Sequence, residues 1–391
     1  MREVYVVGVG MTPFGKHTDT HVIQLGVQAC ISALRDADID KKDVQVAYCG
    51  SARTGQLHGR ESGVGQSILW RIGMTGISVT SVANFCASGG SAFRDAWTAV
   101  GSGMCDVAMA IGVEKLSGKR ESGRPLTSDG LETLTSLGFA PPVQYAQVAM
   151  RYMYETGAKP EDFALVAVKN RANAVMNPYA QRRTPVTVEE VMNSTPVAKP
   201  LTRLSCSPIA DGAAAVILCS REYLERKLTT KHRIMVGGVG LRSGFYGKKR
   251  DYLSVKAEEV SAQDAYKMAG IGPEDINLAE VHDAFTPGEF IHYENLGFCG
   301  RGEGVKFLKD GHSTLKGKLP VNPSGGLLAK GHPLGATGLG QIVELVWHMR
   351  GDAGERQVQK ANVALAHCSG GFSESPELGE SQSTSVVILK K

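Results

Sequence analysis

The 391-residue sequence has few aromatic side chains, only 6%, so it lacks the stacking platform of a single-stranded nucleic-acid binder. It lacks a strong excess of either charge as well. Lys plus Arg number 43 against 39 Asp plus Glu, and a net +4 on this length does not make a DNA-binding face. No apolar run approaches the ~18 residues that a membrane helix needs. The opening Met1-Arg2-Glu3-Val4-Tyr5 lacks the charged-then-apolar layout of a signal peptide, and Leu389-Lys390-Lys391 carries no peroxisomal or retention address. The eight cysteines (Cys30, Cys49, Cys86, Cys105, Cys206, Cys219, Cys299 and Cys368) include no C-x-x-C pair. That spacing speaks against a zinc ribbon or a disulfide framework. Reduced thiols, a cytoplasmic location and no resident metal are the expectation.

What is present is enough apolar residue, 42%, for a large core, and 47 glycines. Val4 to Gly10 reads as a buried strand ending in a turn. Its Gly8-x-Gly10 is not a dinucleotide fingerprint, because the third glycine is missing and Pro13 would interrupt the helix. Three pairs of segments repeat one plan. Ala33–Ile39 leading into the strand 44–48 matches Ala265–Ile271 leading into 276–281. The strand 106–112 matches 362–367, and 213–218 matches 384–389. Two copies of an α/β half sharing one core account for the order. The expected division is 1–116 and 206–255 for the first half, 117–205 for an inserted loop domain, and 256–391 for the second half. The insertion has turn-rich pieces, Ser122-Gly123-Arg124-Pro125 and Ser128-Asp129-Gly130, and two helical stretches, Pro142 to Glu155 and Pro160 to Ala174.

Four clusters carry the chemistry. In Asn84-Phe85-Cys86-Ala87-Ser88-Gly89-Gly90-Ser91, the cysteine stands between a strand and a helix. There the positive end of the helix dipole would favour a thiolate, and small neighbours would let a substrate approach. His282-Asp283-Ala284-Phe285 follows a strand end, where Asp283 or Thr286 would also serve as a helix cap. In Gly331-His332-Pro333-Leu334-Gly335-Ala336-Thr337-Gly338, a constrained histidine precedes a helix starting near Gly335, a candidate base for a thiol. His367-Cys368-Ser369-Gly370-Gly371 follows the strand 361–366, and its thiol is a candidate acid/base. Most cysteines are inert and buried, and the other six are read that way.

Together, Asn84-x-Cys86-Ala87-Ser88-Gly89, Gly331-His332-Pro333-x-Gly335-Ala336-x-Gly338 and Cys368-x-Gly370 resemble the active-site signatures of the thiolase family. The likeness runs nearly end to end and includes Ser205 to Ala215. It implies the thiolase fold, two α/β halves in five layers (αβαβα) with an inserted loop domain. It also implies a homodimer or a dimer of dimers, with coenzyme A as co-substrate and no permanently bound cofactor. By resemblance, Cys86 is the nucleophile that takes the acyl group, His332 its base, and Cys368 the acid/base at the α-carbon. The backbone N–H groups of Cys86 and Gly370 would form an oxyanion hole.

The motif His282-Asp283-Ala284-Phe285 departs from the Asn-Glu-Ala-Phe of the best-known members and resembles the sterol-carrier-protein-type and archaeal branch. His282 would then replace the asparagine at the other oxyanion hole. The sequence mixes two patterns, because Cys368 is retained and Ala284 is not a cysteine. Relatives in this branch imply a small OB-fold zinc-ribbon partner, and one relative with the mixed pattern acts on 2-benzoylsuccinyl-CoA. Arg182-Arg183 and Lys248-Lys249-Arg250 are candidates for a basic entrance facing the phosphates of coenzyme A. Two other readings are a thiolase-like CoA-ester aldolase, which would depend on tyrosines, and a non-catalytic acyl-CoA or lipid carrier.

Overall fold

A nine-stranded mixed sheet organises the computed structural model of the chain, which describes residues 1–58, 62–118, 138, 140–227, 233–245, 251–371 and 383–391. The strands are β1 (Val4–Met11), β2 (Val46–Gly50), β3 (Ser78–Val82), β4 (Val107–Glu114), β7 (Gly212–Ser220), β8 (Ile234–Ser243), β9 (Leu278–Glu280), β10 (Val363–Gly370) and β11 (Ser383–Lys390). A separate ribbon pairs β5 (Pro196–Ala198) with β6 (Leu201–Thr202). The sheet order is β3-β2-β4-β7-β1-β8-β11-β10-β9.

The repeat seen in the sequence is a repeat in the sheet. β2 runs parallel to β4, β4 antiparallel to β7, and β7 antiparallel to β1. In the second copy β9 runs parallel to β10, β10 antiparallel to β11, and β11 antiparallel to β8, so β8 stands with the second copy and not with the first half, where the expected boundary at 255 would leave it. The copies join where β1 meets β8, over Tyr5–Met235 and Val6–Ile234. Strands buried on both faces read as continuous apolar runs, which is why β4 is apolar over 107–113 and β7 over 212–219.

Each copy buries one helix in the centre. The cysteine helix, Ser88–Gly101, packs on the histidine helix, Leu334–Arg350. Phe93, Ala96, Val100, Leu339, Ile342 and Val346 share one apolar core with the inner faces of the strands. The outer faces are covered by the helices Val22–Ala37 and Lys256–Ala269. The glycines of Gly8-x-Gly10 serve that packing: a Cβ on either would lie 2.4 Å from a backbone carbonyl of the Val22–Ala37 helix.

The two helical stretches of the insertion appear as Pro141–Thr156 and Pro160–Ala174. Pro160 occupies the first turn of the latter, where its missing N–H costs nothing, and the Asp162 carboxylate accepts from the Lys159 N–H at 2.9 Å. Ser122–Pro125, Ser128–Gly130 and Lys248–Arg250 lie outside the described residues. No described helix is long and apolar enough to cross a membrane.

Candidate active site

Cys86 lies on the tight connection between β3 and the cysteine helix. The preceding Phe85 is left-handed, with φ of 50°, a conformation bulky residues rarely adopt. Ser88 closes the turn: its hydroxyl donates to the Phe85 carbonyl at 2.6 Å and accepts from the Asn84 N–H at 2.8 Å. The Asn84 side chain reaches Ser91 at 2.9 Å. The polar residues of this motif therefore hold the turn that presents the sulfur.

His332 is presented from the equivalent place in the second copy, just before the histidine helix. Gly331 has φ of 107°, open to glycine, and the Gly335 N–H donates to the buried Glu114 carboxylate at 3.0 Å. The same carboxylate accepts from the N–H groups of Ala52, Arg53 and Thr54, so one residue ties two loops together. The helix begins at Leu334, one residue before the expected Gly335.

The two helix starts touch through glycine. A Cβ on Gly89 would lie 2.7 Å from the Gly335 carbonyl, and one on Gly338 would lie 2.8 Å from the Gly90 nitrogen. This approach brings His332 Nε2 to 3.2 Å from Cys86 Sγ. Thr337 settles the tautomer. Its hydroxyl contacts the Pro333 carbonyl at 3.0 Å and His332 Nδ1 at 2.8 Å. A carbonyl only accepts, so the single hydroxyl hydrogen goes there and Nδ1–H must donate to Thr337. Nε2 is left as a lone pair aimed at the thiol.

Burial holds the His332 imidazole neutral, down to about 3. It also corrects the expectation of a resting Cys86 thiolate. Burial, followed by the Glu114 carboxylate, pushes that thiol up to about 12, outweighing backbone hydrogen bonds from Gly371 and Cys86 itself. A thiol beside an unprotonated imidazole is a nucleophile with its base, with the proton moved during attack.

Cys368 and His282 complete the cluster. Cys368 lies inside β10 and not beyond the strand, a correction to the sequence reading. Its Sγ–H donates to the Cys86 carbonyl at 3.0 Å, and His282 Nδ1 lies 3.4 Å from the same sulfur. Burial, then Cys86, raise the Cys368 thiol well above its usual value. Burial, then His332, lower His282 well below its own. The His282 and His332 rings meet edge to face at 4.9 Å. Gly370 backs the nucleophile, since a Cβ there would lie 2.8 Å from the nitrogens of both Cys86 and Ala87. The five residues singled out in the sequence thus come together from both copies.

The Asp283 carboxylate does not cap its own helix. It accepts from Leu327 N–H at 2.6 Å and from the Asn170 amide at 2.7 Å, while Thr286–Asn295 starts without a side-chain cap. The sequence reading also passed over Tyr145, Glu258 and His292. Tyr145 stacks on Phe285 at 4.5 Å, and its hydroxyl is raised by burial and then by nearby Cys86. Glu258, His292 and His367 bring ligand-type atoms within 4.8 Å of one another, as do Cys86, His282 and His332. In the former set the His292 Nδ1–Glu258 contacts are 2.9 and 3.1 Å, hydrogen-bond lengths.

Comparison with known proteins gives the family. Residues 4–222 match the family "Thiolase, N-terminal domain", and 240–386 match "Thiolase C-terminal domain-like". The chain is 42% identical to benzoylsuccinyl-CoA thiolase subunit BbsB of Thauera aromatica over 95% of each chain. It is also 42% identical to an acetyl-CoA acetyltransferase of Methanothermobacter thermautotrophicus, over 95% of this chain and 97% of that one. Among solved structures, the Ltp2-ChsH2(DUF35) aldolase superposes with a TM-score of 0.83 at 26% identity, covering 99% of this chain and 97% of the other. The chain belongs to the thiolase family, acyltransferases that form or cleave a carbon–carbon bond between acyl-CoA units.

Proposed function

We propose that this chain cleaves a 3-oxoacyl-CoA with coenzyme A, or runs the reverse Claisen condensation, through an acyl-thioester on Cys86. The observation that carries this reading is the 3.2 Å contact between Cys86 Sγ and a His332 nitrogen left unprotonated by Thr337. In the cleavage direction, Cys86 sulfur attacks the 3-oxo carbon while His332 takes the thiol proton. The bond between C2 and C3 breaks, and its electron pair passes to the departing CoA ester as an enolate. The Cys368 thiol, kept protonated by its burial, supplies the proton that this carbon needs. The thiol of coenzyme A then gives its proton to the Cys368 thiolate and attacks the acyl-cysteine; the bond from the acyl carbon to Cys86 sulfur breaks, Cys86 takes back the proton held by His332, and the second acyl-CoA leaves. The backbone N–H groups of Cys86 and Gly370 would stabilise the oxyanion of the acyl-enzyme.

His282 takes the position of the other oxyanion donor. Two hydrogen-bond arrangements fit its contact with Cys368. When the thiol hydrogen points to the Cys86 carbonyl, Nδ1–H of His282 faces the sulfur. When the thiol hydrogen points to Nδ1, the imidazole hydrogen sits on Nε2 and is available to a substrate oxygen. For the phosphates of coenzyme A, the candidate among the described residues is the half-buried Arg182, which has the guanidinium groups of Arg171 and Arg203 near it.

For the substrate, 2-benzoylsuccinyl-CoA giving benzoyl-CoA and succinyl-CoA is our specific proposal, from the likeness to the Thauera aromatica subunit. The likeness to a subunit and to a DUF35-containing aldolase complex supports a small OB-fold zinc-ribbon partner; a thiolase core that is a homodimer or a dimer of dimers belongs to the same proposal. A cytoplasmic location is part of the same reading. Retention of Cys86, His332 and Cys368 favours acyl transfer over tyrosine-dependent aldol cleavage.

The test is a thiolysis assay across short, long, branched and aromatic 3-oxoacyl-CoA esters, with and without the candidate partner. Mass spectrometry follows the acyl adduct on Cys86. Turnover with an adduct that is absent in Cys86→Ala is expected. Full turnover by Cys86→Ala would overturn the nucleophile, and a chain that takes no acyl group would be a carrier.

A further inference from the structure

The backbone carbonyl of His282 points into the protein, where His292 Nε2 meets it at 2.8 Å. His292 is 4% exposed and belongs to the Thr286–Asn295 helix. Its other nitrogen, Nδ1, lies 2.9 and 3.1 Å from the two carboxylate oxygens of Glu258, a fully buried residue of the Lys256–Ala269 helix. A carbonyl only accepts, so Nε2 carries hydrogen; a carboxylate only accepts, so the His292–Glu258 pair shares one further proton. The same carboxylate lies 3.5 Å from Nε2 of His367, the residue before Cys368. The His292 and His367 rings are 4.5 Å apart. One carboxylate thus reaches both the loop that carries His282 and the strand that carries Cys368, and neither Glu258 nor His292 is part of any motif in the sequence.

We infer that Glu258 and His292 are positioning residues that fix His282 against Cys368 for proton transfer at the α-carbon. The inference rests on the acyl-transfer reading of Cys86 and Cys368. His292 anchors the main chain of the loop after β9, and Glu258 fixes the ring of His292. Without them the His282 carbonyl is left buried and unpaired, and the 3.4 Å His282–Cys368 contact loosens. Cys86 and His332 are held mainly by Ser88, Thr337 and Glu114, so acylation depends less on this pair than α-proton transfer does.

The experiment uses the full-length protein with acetyl-CoA and succinyl-CoA as probes. Acylation is read as the mass added to Cys86, and α-proton transfer as deuterium uptake into the probe. His292→Leu is expected to lose roughly 10–100-fold in exchange while acylating at the native rate, a typical cost for a supporting hydrogen bond. His292→Gln, whose amide can still donate to the carbonyl, is expected to recover most of it. Glu258→Gln provides the same ratio should His292→Leu not fold. Equal losses in both half-reactions, or an unchanged ratio in both His292→Leu and Glu258→Gln, would overturn the positioning role. So would loss of exchange on treating the native protein with a chelator, which would make these groups metal ligands. A native protein that acylates Cys86 and exchanges protons keeps the underlying reading intact in each of these cases. A native protein that does neither overturns both.

Discussion

His332 Nε2 stands 3.2 Å from Cys86 Sγ across 246 positions of sequence, and Thr337 dictates which nitrogen of that imidazole is free to receive a proton. Replacing Thr337 by Val keeps the shape and removes the acceptor for Nδ1–H. The ring is then free to place its hydrogen on Nε2, facing the thiol. Acylation of Cys86 should slow by ~10-fold or more, as expected when a general base is misoriented, while the fold is retained. Rapid-quench mass spectrometry of the Cys86 adduct measures it, and an unchanged rate would remove Thr337 from the account.

The resting pair should be insensitive to alkaline pH. With His332 held down to about 3 and Cys86 pushed up to about 12, the neutral imidazole and the protonated thiol coexist across the working range. Alkylation of Cys86 by iodoacetamide should therefore show no step up to pH 9, where an ordinary thiol of pKa ~8.5 is mostly ionised. A sharp rise near pH 8 would show a thiolate at rest.

Cys368→Ser should separate the two half-reactions. The hydroxyl keeps the size and the hydrogen bond to the Cys86 carbonyl but is a far weaker acid than the thiol. Acylation of Cys86 is expected to persist while α-proton exchange falls by ~100-fold or more, within the range for loss of a general acid. Deuterium uptake into acyl-CoA reads the difference. Exchange at the native rate would reassign the acid.

Gly89→Ala tests the helix contact that sets the site. The added Cβ would meet the Gly335 carbonyl at 2.7 Å, with backbone on both sides and no flexible side chain to yield. Overpacking of this kind costs about 1–3 kcal/mol, and the displaced helices should also widen the Cys86–His332 gap. Chemical denaturation and the acylation rate should fall together.

Acid should weaken the fold through its buried histidines. His332 and His367 are lowered to about 3 and His348 to about 4, in each case first by burial. The unfolded chain binds these protons near pH 6.5 and the folded chain does not, so their contribution is complete above 6.5 and is lost as pH falls towards the folded values. Each such group sheds up to about 1.4 kcal/mol per pH unit in that window. His348→Asn, which can still accept from the Val358 N–H, should flatten the decline in urea stability between pH 6.5 and 4.

The repeat, the central strands and the motif residues were legible because glycine, alternation and long apolar runs leave marks in one dimension. Cys86, His332 and Cys368 announced themselves by their small or constrained neighbours, and His282 by the His-Asp pair after a strand end. The protonation of Cys86 was not legible: the helix start at Ser88 is visible in sequence, but the depth of burial and the nearness of Glu114 are tertiary facts. Asp283 misled for a similar reason, since its partner N–H groups at Leu327 and Leu328 lie 44 and 45 residues away. Glu258 sits on an ordinary amphipathic helix and His292 on one buried along most of its length, and nothing local in the sequence distinguishes either from other polar residues.

Because Gly89, Gly335 and Gly338 let main chain rest on main chain, no side chain stands between the two helix starts that present nucleophile and base. Tyr145 and Phe285 bring ordinary side chains to the same neighbourhood. The spacing that attack needs is thus set by the skeleton of the chain, and side chains around it can change without moving it.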